Sequence, residues 1–292
     1  MGKIIYFIFI LPLLFIISIL PFFIIYGISD LMYLLIYKFI GYRKHVVRQN
    51  LKNAFPEKSE SDLKLIEKKY YHFLCDVILE TIQTISISER KMLKRCYMND
   101  HSKKIFEEFN QQQKSCVIVL GHFGNWEWGG NTFSLTCKQQ LYVLYHPLSN
   151  VQFDGLMKQL RTRFGAKLYA MKDAMREMIK NKNETTATAF IADQTPAPET
   201  AYWMSFLNQD TPVFLGTEKI AKKLNFPVVY VSLLRKKRGY YEFNAEVICA
   251  NPQATIEGEI TELHTKRLEQ DIDMQPETWL WSHRRWKHKR KV

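Results

Sequence analysis

The hydrophobic pattern divides the chain into an apolar amino-terminal segment and a longer region of mixed pattern. No charged residue occurs from Ile4 to Ile28. A helix over these 25 residues would measure about 37 Å, against a bilayer hydrocarbon core of about 30 Å. Pro12 and Pro21 would kink that helix or split it into a re-entrant or interfacial pair. A second apolar stretch, residues 31–42, is predicted to lie along the interface, which makes residues 1–42 a membrane anchor.

Two other interpretations of the apolar segment are less favourable. A signal peptide would have a shorter apolar core and a small-residue cleavage site after it. A buried helical hairpin of a soluble protein would have no reason to match the length of a bilayer span. The segment is followed by the basic residues Lys38, Arg43, Lys44, Arg48 and Lys52. Such a basic flank is typical of the cytoplasmic side of a membrane, where we therefore expect residues 43–292.

The pattern after the anchor predicts an α/β fold. Residues 59–87 have apolar positions at helical spacing, with Ser59 as the cap and Asp62 in the first turn. Four apolar runs are predicted to be buried strands, and they alternate with helical patterns at 151–164, 171–181 and 215–224; the runs are 116–121, 141–146, 187–193 and 228–234. Residues 240–248 alternate more strictly and are predicted to form an edge strand. This order favours one domain with a central, mostly parallel sheet flanked by helices.

Charge and cysteine content narrow the possible partners and compartments. The net charge of +12 suits an anionic partner, such as nucleic acid, an acidic protein or phosphate-bearing lipid. The five cysteines have no C-x-x-C spacing, and several lie in apolar runs. We expect them to be reduced and structural, as buried thiols in a cytoplasmic compartment are.

The segment GHFGNWEW, residues 121–128, directly follows the predicted strand 116–121. His122 would then lie at the carboxyl end of that strand, where ligands gather in open α/β sheets, and Asn125 could cap the next helix. Glu127 could hold one imidazole nitrogen of His122 and leave the other as a general base. Spacing alone equally allows a buried structural histidine followed by a first-turn acid. A zinc site would need further ligands at known spacings, which are absent, and no metal or cofactor is predicted.

HFGNWE resembles the signature of glycerolipid acyltransferases, a histidine and an acid separated by four residues. The whole chain resembles, more specifically, the bacterial lipid A biosynthesis acyltransferases, the late enzymes that add secondary acyl chains. Six blocks in the same order carry this resemblance: GYRKHVVRQNLKNAFPEKS (41–59), GHFGNWEWGG (121–130), LRTRFGAKLY (160–169), FIADQ (190–194), GTEKIAKKLNFPVV (216–229) and PETWLWSHRRWK (276–287).

The resemblance implies transfer of an acyl group from an acyl carrier protein to a hydroxyl of a lipid A precursor, an anionic glycolipid, at the inner membrane. His122 would take the hydroxyl proton and Glu127 would hold His122. No protein side chain would be acylated, and no G-x-S-x-G serine elbow occurs. The expected substrate-binding residues are Asn125, Arg161, Arg163, Asp193, Gln194, Arg284 and Arg285. Either Arg161 or Arg163 could stabilise the oxyanion or bind a phosphate, and the role of Asp193 stays open.

Two features of the sequence leave alternatives for the acceptor and for the class of protein. Leu207 and Asn208 stand where the family typically has Phe and Gly, which puts the acceptor in doubt more than the reaction. A lysophospholipid or an aminolipid is therefore the second choice of acceptor. The tail HRRWKHKRK, residues 283–291, is basic enough for nucleic acid, but beside a membrane anchor it suits an anionic interface better, and we expect no nucleic acid partner. A membrane-anchored binding protein is the remaining non-enzymatic alternative.

Overall fold

The computed structural model describes residues 6–290, so the beginning of the predicted anchor and Lys291 of the basic tail lie outside it. Two π-helical segments, Tyr6–Ile10 and Leu34–Ile40, flank the first helices. The α-helices are α1 Leu11–Ile19, α2 Phe22–Tyr33, α3 Lys44–Ala54, α4 Glu60–Gln83, α5 Glu89–Arg95, α6 Asp100–Gln111, α7 Trp126–Thr136, α8 Val151–Thr162, α9 Ala174–Lys180, α10 Gly216–Leu224 and α11 Glu259–Met274. The strands are β1 Cys96–Met98, β2 Cys116–Leu120, β3 Gln140–Tyr145, β4 Lys167–Ala170, β5 Thr186–Ile191, β6 Tyr202–Phe206, β7 Gln209–Val213, β8 Val228–Lys237 and β9 Tyr240–Cys249.

Seven strands form a central sheet in the order β1-β9-β8-β2-β5-β3-β4. Every neighbouring pair is parallel except β8 and β9, which are antiparallel and joined by a tight turn. The predicted α/β class with a mostly parallel sheet is therefore confirmed. The prediction that residues 240–248 form an edge strand is wrong, because β1 pairs with the outer side of β9. A strand of three residues such as β1 is too short to show a periodicity of its own.

Helices cover both faces of the sheet. All five residues of β2 are buried, as expected for a strand packed on both sides. On one face, Phe133 of α7 packs edge-on against Phe106, with ring centroids 4.8 Å apart. On the other face, Trp279 and Trp281 pack edge-on at 4.7 Å, and both are almost fully buried. Burial of each such side chain contributes about 1.5–3 kcal/mol, so these aromatic clusters hold the helices on the sheet.

The amino-terminal segment is helical and broken once. Residues 22–40 form a helix of 19 residues that is long and apolar enough to cross a membrane, and the preceding apolar helix, 6–19, is shorter. The break falls at Pro21, as predicted, since proline has no amide hydrogen to continue the helix. Pro12 causes no break; it is the second residue of α1, directly after the π-helical segment Tyr6–Ile10.

All five cysteines are free, and four of them are buried; Cys137 is half-buried. Burial raises the pKa of the Cys96 thiol to about 12 and that of Cys75 to about 12. These thiols are protonated at neutral pH and pack as small apolar groups, which agrees with a structural role.

Gly124 is the glycine on which the loop after β2 depends. Its φ is +60°, and a Cβ there would overlap the carbonyl oxygen of Leu233. We predict that Gly124→Ala destabilises the protein by about 3 kcal/mol or more, because the backbone strain of a positive φ adds to the overlap of the new Cβ with the carbonyl oxygen. Gly130→Ala is the matched control on the neighbouring helix, where a Cβ would meet only an ordinary contact with Leu141. Urea unfolding of the detergent-solubilised variants measures both effects, and equal stability of the two would contradict this account.

Candidate active site

The sheet brings His122 and Asp193 together. His122 follows β2 and Asp193 follows β5, and these strands are adjacent and parallel, with Leu120 opposite Ile191. The ladder continues one step further, since the amide of Ala192 donates to the carbonyl of Leu120 at 3.0 Å. Both side chains therefore leave the sheet at the same rim. The ends of parallel strands are where α/β proteins build their sites.

Asp193 holds His122 through two bonds. Its Oδ1 lies 2.6 Å from Nδ1 of His122, and its Oδ2 accepts from the backbone amide of His122 at 2.8 Å. Trp279 also donates its indole N–H to Oδ2 at 2.8 Å. Burial alone would raise the pKa of Asp193, but the attraction of His122 and these bonds outweigh it and lower the pKa to about 2. Asp193 is therefore a carboxylate at neutral pH and fixes the tautomer of His122 with Nδ1 as donor.

Glu127 was expected to hold His122, but in the structure it makes no hydrogen bond to the imidazole, whose Nδ1 is bound to Asp193. Glu127 instead forms a bidentate pair with Arg161, with Nε to Oε2 at 2.9 Å and Nη2 to Oε1 at 2.6 Å. Burial would raise the pKa of Glu127, but Arg161 and, more weakly, His122 lower it. The physical reason is the helix geometry: Glu127 lies in the first turn of α7 and its carboxylate faces α8, while the rim position beside the imidazole is already filled from β5.

Both polar atoms of the Asn125 side chain are bound inside the protein. Its Oδ1 accepts from the amide of Trp128 at 3.0 Å, which confirms the predicted helix cap. Its Nδ2 donates to the buried Glu80 at 2.8 Å. The side chain is completely buried, whereas a contact with substrate was expected. Burial raises the pKa of Glu80, and hydrogen bonds from Tyr241, Asn125 and Tyr26 oppose that rise.

The other imidazole nitrogen of His122 faces the opening of the site. Nε2 lies 3.4 Å from the side-chain amide of Gln194, an exposed residue. The His122 side chain is 15% exposed, so a small group can reach it. Trp126 stands edge-on to the imidazole, with ring centroids 5.1 Å apart, and its indole N–H donates to Glu127 at 3.3 Å. The arrangement leaves Nε2 as an acceptor beside solvent.

A carboxyl-terminal segment braces the signature loop. Phe123 forms an isolated antiparallel bridge with Trp279. The amide of Leu280 donates to the His122 carbonyl at 3.2 Å, and the amide of Gly124 donates to the Thr278 carbonyl at 3.0 Å. These bonds fix the backbone on both sides of the imidazole. The sequence block 276–287 therefore contributes to the site through its backbone and through Trp279.

The predicted arginines have different environments. Arg161 is about one quarter exposed, and its guanidinium is held by Glu127. Arg163 donates to the carbonyl of Thr84 near the end of α4 and stacks on Phe164 at 4.8 Å, which is a structural use. Arg284 is exposed. Arg285 is only 1% exposed, whereas a contact with substrate was expected.

Arg285 belongs to a buried polar pocket behind Asp193. Asp193, Tyr230, His264 and Arg285 line a small enclosed cavity with several apolar residues. Nε and Nη1 of Arg285 and Nε2 of His264 have no hydrogen-bond partner within residues 6–290. Burial lowers the pKa of Arg285 to about 10, and Asp193 opposes that shift. The guanidinium stays charged at neutral pH and compensates the Asp193 carboxylate from the inside.

An apolar cavity of about 160 Å³ lies beside the end of β5. Its walls include Leu144, Met171, Phe190 and Ile220, and it reaches Ala192, next to Asp193. A space with such walls could take part of a hydrocarbon chain. In residues 6–290, no three His, Cys, Asp or Glu side chains converge as metal ligands would.

The unusual pair Leu207 and Asn208 forms the turn between β6 and β7. Both residues have positive φ, +49° and +58°. The second position suits Gly or Asn, which explains why Asn can stand there. Leu207 is buried, and Asn208 donates to the Ala54 carbonyl at 3.0 Å. The departure from the usual pattern therefore lies in a packed turn.

Comparison with known proteins identifies the family. Residues 2–288 match the model of the family described as "Bacterial lipid A biosynthesis acyltransferase". The chain belongs to the bacterial lipid A biosynthesis acyltransferase family. The lauroyltransferase of lipid A biosynthesis from Escherichia coli K12 is 24% identical over 274 residues, which cover 92% of this chain and 87% of the relative. The palmitoleoyltransferase from the same strain is 22% identical over 257 residues, 85% of this chain and 80% of the relative.

A third relative, the E. coli K12 lipid A biosynthesis myristoyltransferase, is 21% identical over 158 residues, covering 54% of this chain and 48% of the relative. These relatives are named for different acyl chains. Membership of the family makes this protein an acyltransferase and gives it a lipid acceptor. At the rim that carries His122 and Asp193, the second imidazole nitrogen lies beside an opening to solvent.

His264 provides a prediction about stability and pH. Burial lowers its pKa to about 4, so the folded protein keeps it neutral. As the pH falls from about 6.5 towards 4, only the unfolded chain gains a proton at this residue, which removes about 2–3 kcal/mol of folding free energy. We expect His264→Leu to reduce the loss of stability across that window in urea unfolding. His146→Gln, at an exposed position, is the control and should leave the pH dependence unchanged.

Proposed function

We propose that this acyltransferase transfers a fatty acyl chain from an acyl carrier protein thioester to a hydroxyl of a lipid A precursor. The single observation that carries the mechanism is the His122–Asp193 pair at the carboxyl ends of β2 and β5, with Nδ1 bound at 2.6 Å. A buried carboxylate on Nδ1 leaves Nε2 to accept a proton, which is the arrangement of a general base.

The proposed reaction has two proton transfers and one bond exchange. Nε2 of His122 removes the proton from the acceptor hydroxyl as its oxygen attacks the thioester carbonyl carbon. A tetrahedral intermediate forms, and its collapse breaks the carbon–sulfur bond. The departing thiolate takes the proton back from the imidazolium, which Asp193 has stabilised. The products are the new ester and the free thiol of the carrier.

Arg161 is proposed to stabilise the oxyanion. The bidentate bond to Glu127 fixes its guanidinium, and Arg161 remains partly exposed at the rim. Burial of Arg161 would lower its pKa, but the Glu127 carboxylate raises it, so the group stays charged. A preorganised guanidinium is worth several kcal/mol to a developing negative charge in a site that excludes water. Glu127 is then a positioning residue for Arg161, and this is the role we propose for the acid of the HFGNWE signature.

Three further features support the proposed donor and acceptor substrates. The apolar cavity beside Ala192 offers space for part of the acyl chain. The net charge of +12 favours an acidic carrier protein and a phosphate-bearing acceptor. Exposed Arg284 is the proposed phosphate contact in the carboxyl-terminal block. We place the protein on the cytoplasmic side of the inner membrane, where acyl carrier protein is available.

Substitutions at the two carboxylates test the mechanism. Asp193→Asn keeps the size of the side chain but removes the charge that stabilises the imidazolium, so we expect kcat to fall roughly 10²–10⁴-fold. His122→Ala should remove nearly all turnover. Glu127→Gln should lower kcat less than Asp193→Asn, because it weakens only the bond to Arg161. Acyl transfer from acyl carrier protein to a purified lipid A precursor measures all three.

The outcome that contradicts the base assignment is near-normal turnover of a folded His122→Ala protein. If Glu127→Gln lost as much activity as His122→Ala while Asp193→Asn stayed active, Glu127 would be the partner of the imidazole during catalysis. Circular dichroism of each variant separates loss of chemistry from loss of fold.

Lipid analysis tests the acceptor. We predict that a strain lacking this protein makes lipid A that is lighter by one acyl chain, as measured by mass spectrometry of total lipid A. Expression of the wild-type chain restores the mass, and the His122→Ala variant does not. Unchanged lipid A together with a change in a lysophospholipid or aminolipid would reassign the acceptor while keeping the chemistry.

A further inference from the structure

The helix over residues 22–40 has two different faces. Along one side, Tyr26, Ser29, Tyr33 and Tyr37 follow one another at helical spacing and pack against the rest of the protein; Ser29, Tyr33 and Tyr37 are buried. The other side consists of large apolar side chains that contact little else. These exposed residues are Phe23, Ile24, Leu31, Leu34, Leu35, Phe39 and Ile40.

Polar bonds tie the inner face to the catalytic domain. Ser29 donates to Asp76 on α4 at 2.7 Å. Arg238, after β8, binds both Asp76 and Asp30 at 2.7 Å. Tyr26 donates to Glu80 at 3.0 Å, and Glu80 is the carboxyl that also accepts from Asn125. The helix is thereby connected to the cap of α7.

These contacts extend beyond the middle of the helix. At its beginning, the Gln83 amide donates to the Leu20 carbonyl at 3.2 Å. Towards its end, Tyr33 stacks on His72 with ring centroids 3.5 Å apart. Just after it, Tyr71 donates to the Tyr42 carbonyl at 2.6 Å. The helix is bound to α4 along its whole length.

Such a helix cannot cross a bilayer without leaving the domain. A crossing would carry Asp76, Glu80 and Arg238 into the hydrocarbon or break every bond that they make with α2. A single charged side chain at the centre of a bilayer already costs about 2.5–3.5 kcal/mol or more. The length of 19 residues is therefore not a reason to expect a span here.

The exposed apolar surface continues onto the preceding helix. Ser86 donates to the Ser18 carbonyl at 2.5 Å, which holds α1 against the end of α4. The outer side of residues 6–19 exposes Phe7, Ile8, Phe9, Leu13, Phe15, Ile16 and Ile19.

We propose that residues 6–42 form a monotopic attachment in which both helices insert their outer faces into one leaflet of an anionic bilayer and neither crosses it.

The basic residues near the exposed apolar face favour a bilayer, and not a second copy of the chain, as the partner of that face. Exposed Lys38 lies near the end of the helix 22–40, and exposed Arg43 follows shortly after it. Exposed Arg90, Lys91 and Lys94 lie on α5, shortly after the contact of Ser86 with α1. Basic residues around an apolar surface attract anionic headgroups, whereas two copies would bring like charges together. The proposal concerns the membrane contact and does not depend on the reaction chemistry.

Labelling from one side of a vesicle tests the proposal. The full chain with Cys137→Ser, so that the remaining native thiols are buried, receives single substitutions Phe9→Cys, Phe23→Cys or Phe39→Cys, each carrying the fluorophore NBD. The protein is added to preformed vesicles containing phosphatidylglycerol, and dithionite, which does not cross the bilayer, is added outside. We expect all three labels to be reduced to the same extent. Protection of the label at position 9, with reduction at position 39, would show a transmembrane helix and overturn the proposal.

A second measurement uses the apolar face itself. Phe9→Ser, Phe23→Ser and Phe39→Ser together should lower partitioning onto these vesicles at least tenfold, with unchanged circular dichroism. Ile256→Ser, at a residue 76% exposed and outside this surface, is the matched control and should bind as the wild type does. Normal vesicle binding by the triple variant would show that a membrane leaflet does not cover the apolar face. A dimer that forms in the wild type and is lost in the triple variant would show the same. The labelling experiment retains its meaning even if the triple variant fails to fold.

Discussion

The bond between Asp193 and Nδ1 of His122 is the interaction on which the site depends. It exists because β2 and β5 are adjacent, parallel and in a register that ends both strands at the same rim. The negative charge of the Asp193 carboxylate is stabilised from both sides. The imidazole of His122 lies in front of it, and the buried guanidinium of Arg285 lies behind it. Trp279 completes the shell by donating to the same carboxylate. The position of this pair is therefore a property of sheet register, and the carboxyl-terminal segment contributes to it through Trp279.

The acid of the HFGNWE signature has a different position in this arrangement. Glu127 and Arg161 form a second ion pair at the rim, connected to His122 through the indole of Trp126. The two carboxylates thus divide two tasks, with one orienting the imidazole and the other orienting a cation. Asn125 joins this machinery to Glu80 and hence to Tyr26 of the amino-terminal helix. The segment that contacts the membrane in our proposal is connected to the catalytic loop by two hydrogen bonds.

Much of the fold could be predicted from local patterns. Long apolar runs located β2, β3, β5 and β8, and the caps at Ser59 and Asn125 were visible because a cap acts within three residues. The strands β1 and β4, with three and four residues, were missed because so few positions show no periodicity. The hydrogen-bond partner of His122 could not be predicted for a related reason. Spacing indicates Glu127, whereas the carboxylate bound to Nδ1 in the structure belongs to Asp193, 71 residues away, and is brought there by strand order. The sequence also predicts only a membrane anchor for the apolar segment. It cannot show that this segment packs on the catalytic domain, because the contacts between its tyrosines and the carboxylates of α4 join residues far apart in the chain.

The tautomer of His122 tests the central claim most directly. The ¹⁵N chemical shifts of histidine-labelled protein in detergent, assigned with a His122→Gln variant, report which imidazole nitrogen carries the proton. We predict that neutral His122 carries it on Nδ1, and that Asp193→Asn changes this signal whereas Glu127→Gln leaves it in place. A proton on Nε2 in the wild type, or a signal that responds to Glu127→Gln and not to Asp193→Asn, would contradict the account.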